Sequence, residues 1–197
     1  MRKMTLYIIL VVLLLVAIGI ICNKSITYSE RNPNWVWING HPLNDAVGVP
    51  IVLSHNPQAH DPSWEELQTF LKSDTTNELY YNQMSFVCTS FAEILQKNAE
   101  AAGIRTAFVF IYFKQGICSL PNQTGCSMAC VFTLHACNAF QTTDRGLIYI
   151  DDTGTVDGQG VDCTVNISVG QNYARTPIFS NVSVCLMKEV SNFSVFW

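Results

Sequence analysis

Basic residues are scarce in this 197-residue chain: eleven Lys and Arg stand against fifteen Asp and Glu, and charged residues make up only 13% of it. Arg2 and Lys3 flank a separate N-terminal feature, and with them set aside the formal charge of −4 becomes −6. A phosphate backbone is held by clustered Lys and Arg, and no basic patch with interleaved aromatics occurs, so no nucleic acid partner is expected. Internal repeats and low-complexity tracts are absent as well, which excludes solenoid and linker-type architectures. No stretch has the spacing of a calcium loop.

Long apolar runs are missing with one exception. Met4 to Cys22 is uncharged, nearly all Leu, Ile and Val, and preceded by Arg2 and Lys3. Nineteen such residues are enough to cross a bilayer as a helix, and the basic pair places the N-terminus in the cytoplasm. The expectation is a signal-anchor helix over residues 1–22, a membrane contact through residues 4–22, and a single-pass protein whose domain lies on the extracellular side. Ala17-Ile18-Gly19 is the alternative, a cleavage site that would give a secreted chain. Eight cysteines fit an oxidising compartment. Glycosylation acceptor triplets begin at Asn23, Asn122, Asn166, Asn181 and Asn192, as expected of a glycoprotein surface.

About 175 residues remain beyond the anchor, enough for one domain with a proper core. Residues 23–60 carry four prolines among Asn and His and read as an irregular, extended approach; the domain proper is expected over 61–197. Asp61-Pro62 reads as the start of a short helix with Trp64, Leu67 and Leu71 on its apolar face. The next helix opens at Cys88. Apolar and small residues recur at Cys88, Phe91, Ala92, Leu95, Ala99 and Ala102, one helical face, while Glu93, Gln96, Lys97 and Glu100 fall outside it. Gly103 is the expected stop. Strand patterns follow over 104–113, 130–140 and 147–151, with a turn at 142–146, and again near 161–169 and 182–190. Helices followed by an antiparallel sheet give an α+β class.

The chemistry-bearing residues come in a suggestive order. Cys88 stands where a helix N-terminus favours a thiolate. His135 lies mid-strand in TLHACNAF, and Asp151 ends the next strand in LIYID, so a hairpin brings the two side by side. A thiolate nucleophile needs an imidazole to take its proton, and the imidazole needs a carboxylate or amide to fix its tautomer. Spacing alone leaves Cys88 open to being a buried thiol or half a disulfide.

The segment CTSFAEILQKNAEAAGIRTAFVFIYF resembles the first motif of the transglutaminase-like superfamily, a cysteine opening a helix that ends in a Gly-Ile turn into a strand. HACNAFQTTDRGLIYIDDTGT is similar to that family's second and third motifs, with His135 and Asp151 sixteen positions apart. The resemblance covers residues 62–155. It implies a papain-like core with the nucleophile helix packed on the sheet, Cys88 as nucleophile, His135 as general base and acid, and Asp151 as the orienting carboxylate. Asp152 stands where the family commonly has proline and rivals Asp151; Cys137 replaces a common tryptophan and is an accessory candidate. The oxyanion donors would be the Cys88 backbone amide and one upstream group, with Gln83 the first candidate and Trp64 the second. The implied activity is extracytoplasmic acyl transfer from peptide or side-chain amides through a thioester, with hydrolysis preferred and no cofactor or metal required.

With Cys22 in the anchor and Cys88 catalytic, six cysteines remain as disulfide candidates: Cys118, Cys126, Cys130, Cys137, Cys163 and Cys185. Two other readings compete. One is a catalytically silent module of the same fold that serves binding or surface structure. The other is a zinc-binding domain using Cys126, Cys130, His135 and Cys137, although their spacing lacks the paired two-residue gap of zinc knuckles.

Overall fold

The computed structural model describes residues 31–115, 133–153, 161–180 and 187–197. The expected membrane segment 4–22, the acceptors Asn23, Asn122 and Asn181, and Cys118, Cys126, Cys130 and Cys185 lie outside these residues. Among the described residues no helix is long and apolar enough to cross a membrane.

Among the described residues six antiparallel strands form the main sheet. After a two-strand clip, β1 (Trp37–Ile38) and β2 (His41–Pro42), come β3 (Ala107–Phe113), β4 (Leu134–Thr142), β5 (Gly146–Asp151), β6 (Cys163–Asn166), β7 (Ala174–Pro177) and β8 (Val190–Phe196). Strands β3 to β7 run as a meander, and β8 returns to the free side of β3, giving the order β7-β6-β5-β4-β3-β8. β3 is therefore internal and buried on both faces, which is why AFVFIYF reads as a continuous apolar run. The β4–β5 turn closes with Thr142 opposite Gly146, whose φ of 72° suits a residue without a Cβ.

Among the described residues two α-helices precede the sheet: α1 (Trp64–Ser73) and α2 (Cys88–Ala101). The cap of α1 is Ser63 rather than Asp61-Pro62. Ser63 Oγ accepts from the Glu66 amide at 3.2 Å, and Glu66 reaches back to the Ser63 amide at 3.4 Å, a capping box that the S-x-x-E spacing encodes. Leu67 and Leu71 of α1, Leu95 and Ala99 of α2, and Phe140 and Ile150 of the sheet share one core cluster. Ala92 joins a second with Val36, Ile51, Phe108, Phe110 and Ala136. Gly103, at φ 81°, ends α2 and sends the chain into β3.

Residues 34–60, which carry the β1–β2 clip, belong to the compact unit that runs from Asn34 to Trp197. Val36 and Ile51 are fully buried. The polar side of α2 holds this segment. Gln96 accepts from the Ser54 amide at 2.9 Å and donates to its carbonyl at 2.7 Å; Glu93 accepts from Val52 and Glu100 from Asn56. Gln96 and Glu100 are buried, so the face that looked solvated in sequence is a seam between helix and approach segment.

The edges of the sheet depart most from expectation. β7, ARTP, carries Arg and Pro and has no strand pattern of its own; it is recruited by pairing with β6. The last strand is Val190–Phe196, paired with β3 from Phe113 opposite Val190 to Phe108 opposite Phe196; most of the strand expected near 182–190 lies outside the described residues.

Candidate active site

Strand alternation decides what surrounds His135. Asn138 faces α2 and donates to the Ala92 carbonyl at 2.9 Å, and Ala136 and Phe140 pack on the same side. His135 and Cys137 therefore project from the opposite face of β4, as Asp151 does from β5. This second face carries its own core, with Val109, Ile111, Phe113, Cys137, Cys163 and Tyr173. The imidazole lies against Phe113, ring centroids 6.3 Å apart, and edge-on to Tyr173 at 5.3 Å.

Asp151 is 1% exposed and fully engaged. Its Oδ2 lies 2.9 Å from His135 Nε2 and accepts from the Tyr173 hydroxyl at 2.8 Å, with Arg175 Nη1 at 3.8 Å. Its Oδ1 accepts from the Thr153 amide at 3.0 Å and the Thr153 hydroxyl at 2.6 Å. Burial alone would raise this carboxyl; the His135 charge and hydrogen bond, then Arg175 and Thr153, outweigh it and hold Asp151 well below the usual range. Burial alone would likewise discharge His135. The Asp151 carboxylate, with a smaller part from Cys88, instead lifts the ring to about 10. The pair is an imidazolium–carboxylate at neutral pH.

Cys88, half-buried at the first position of α2, lies within hydrogen-bonding reach of that imidazole. With Nε2 taken by Asp151, Nδ1 is the nitrogen left for sulfur. Cys88, His135 and Asp151 are thus brought together as a thiol, an imidazole and a carboxylate in sequence. No side chain caps the start of α2 except Ser90, whose Oγ accepts from the Val87 amide at 3.4 Å. The amide of Cys88 is accordingly among the helix N–H groups without an intrahelical partner.

Asp152 does not share the site. Both its oxygens are buried without a hydrogen-bond partner among the described residues, and burial, then the charges of Asp151 and Asp162, push it well above the ordinary carboxylate value. Cys137 is a buried free thiol, raised by burial and then by Asp151. Cys163, opposite Asp151 on β6, is free too, so neither Cys137 nor Cys163 forms the disulfide expected of it. Among the described residues no group of His, Cys, Asp and Glu is arranged to hold a metal ion. Gln83 is exposed, and Trp64 packs with the Leu67 cluster beneath the Arg145 guanidinium at 5.0 Å. The residue that sequence reasoning missed is Tyr81. Its hydroxyl lies within reach of the Cys88 backbone amide and close to the Cys88 sulfur. Asn166 and Asn192 are exposed acceptors.

No family model, curated protein or solved structure matches the chain.

Proposed function

We propose that this chain is a cysteine-dependent acyl-transfer enzyme with a transglutaminase-like, papain-type core, anchored through residues 4–22 and facing the extracellular side. It acts on peptide or side-chain amides, with water as the preferred acceptor. The observation that carries the reading is the buried His135–Asp151 pair, Nε2 to Oδ2 at 2.9 Å, presented to a cysteine at a helix start.

The His135 imidazolium, held by Asp151 through Nε2, donates from Nδ1 to the Cys88 thiolate and keeps the sulfur ready to attack. The sulfur attacks the amide carbon, and a C–S bond forms as the carbonyl electron pair moves to oxygen. When the intermediate collapses, the C–N bond breaks and the imidazolium protonates the departing amine, leaving a thioester on Cys88. Water, deprotonated by the now neutral imidazole, then releases the acid and restores the thiolate–imidazolium pair. Phe113 and Tyr173 keep the ring in place between them. The steps use only side chains and water.

An activated ester tests this without knowledge of the natural substrate. Incubation with p-nitrophenyl acetate is expected to add one acetyl group to the Cys88 peptide, with a burst of nitrophenolate, and Cys88→Ala to abolish both. Acetylation spread over lysines, unchanged in Cys88→Ala, would refute the reading.

A further inference from the structure

Acyl transfer needs donors aimed at the oxygen that gains charge when sulfur attacks. The Cys88 amide is one such donor by its place at the start of α2, and the Tyr81 hydroxyl lies beside it. The segment between Asn82 and Phe86 folds into a tight turn, with Asn82 N to Phe86 O and Phe86 N to Asn82 O both 2.7 Å, and Asn82 Oδ1 accepting from the Met84 amide at 2.9 Å. The turn carries Tyr81 back over the beginning of α2. There its ring stacks on Phe91 at 6.0 Å and 19° between planes, while Phe86 meets the same Phe91 edge-on at 4.8 Å. The phenol is thus held by a ring stack on one side and a hydrogen-bonded turn on the other.

We propose that Tyr81 is a catalytic residue, its hydroxyl donating to the oxyanion together with the Cys88 backbone N–H. The inference rests on the acyl-transfer reading of Cys88 and adds to it the group that completes its oxyanion site. In the resting site the amide lies within hydrogen-bonding reach of the phenol oxygen; an incoming carbonyl oxygen takes over that amide and accepts from the hydroxyl beside it. Burial first, then the charges of Cys88 and Asp151, push the phenol up to about 12 against the opposing pull of the Cys88 amide, so the hydroxyl keeps its proton at any working pH. Both neighbouring charges are negative, which disfavours phenolate and favours a neutral donor. As the sulfur bonds to the carbonyl carbon, the charge that moves to oxygen meets a donor already in position. On collapse the electron pair returns and the hydroxyl is unchanged.

The test compares Tyr81→Phe with the wild-type full chain under two reagents. Tyr81→Phe keeps the stack on Phe91 and removes only the hydroxyl. Acylation by p-nitrophenyl acetate passes through an oxyanion; alkylation by iodoacetamide, a displacement at saturated carbon, does not. The expected result is a burst rate for Tyr81→Phe lowered ~100-fold, the scale of losing one oxyanion donor, with the alkylation rate of Cys88 and its pH profile unchanged. Equal or faster acylation of Tyr81→Phe would overturn the proposal alone, the faster case marking the hydroxyl as an obstruction. Parallel slowing of acylation and alkylation would also overturn it, since Tyr81 would then act on the sulfur. No acylation of either protein would overturn the acyl-transfer reading and the role of Tyr81 with it.

Discussion

Asp152→Asn should make this protein more stable at neutral pH, and the gain should disappear on acidification. Asp152 is 1% exposed and neither carboxylate oxygen has a hydrogen-bond partner among the described residues. An ionised carboxylate cannot persist in such a place, and burial together with Asp151 and Asp162 pushes its pKa well above 3.8. The folded chain therefore keeps a proton that the unfolded chain releases above about pH 3.9. Folding then costs about 1.4 kcal/mol for each pH unit over which that difference persists. The sign is that of a raised acid: stability is greatest below the unfolded-state value and falls as pH rises toward the folded-state one. Over that range the wild type should lose stability that Asp152→Asn keeps. Asparagine carries no charge and retains the shape, at a cost of about 1–3 kcal/mol for an amide left without partners. Asp162, pushed up to about 7 by burial and the charge of Asp74, adds a loss over the same range in both proteins. Urea unfolding followed by tryptophan fluorescence, at several pH values from 4 to 7, measures the difference between them directly. A constant offset between wild type and Asp152→Asn across this range would refute the reasoning, because it would mean that Asp152 titrates alike folded and unfolded.

The pairing of His135 with Asp151 makes the opposite prediction at alkaline pH. His135 is raised to about 10, so its stabilising contribution is complete below about 6.5 and lost as pH rises through 10. Asp151→Asn should abolish that alkaline decline, as unfolding midpoints between pH 6 and 10 would show, and should slow acylation of Cys88 by about 10- to 100-fold through loss of imidazolium stabilisation. Gln96→Ala should cost about 1–2 kcal/mol by releasing Ser54 from α2, with faster amide hydrogen exchange across residues 52–56 and little change at Cys88.

The features that could be read in the sequence are those whose cause is local. The Cys88 helix shows in the spacing of Phe91, Ala92, Leu95 and Ala99, all fully buried, and the β4–β5 hairpin in the sixteen-residue interval that places His135 beside Asp151. What was illegible depends on distant partners. Gln96 and Glu100 look like solvent-facing helix residues until residues 54 and 56 lie across them. Asp151 and Asp152 are equivalent by composition, and only the alternation of β5 sends one to His135 and the other to a buried place with no hydrogen-bond partner among the described residues. Tyr81 sits in a polar turn with no periodicity; its approach to Cys88 exists because Asn82 and Phe86 pair across that turn.

The account stands most directly on the pairing of Cys88 with His135, and the rate of alkylation at Cys88 measures it. Wild-type protein treated with iodoacetamide at about pH 7, quenched and peptide-mapped, should modify Cys88 about 10-fold faster than His135→Ala does, because the imidazolium beside the sulfur supports its attack. Equal rates at Cys88 in the two proteins would contradict the claim that these residues form a catalytic pair.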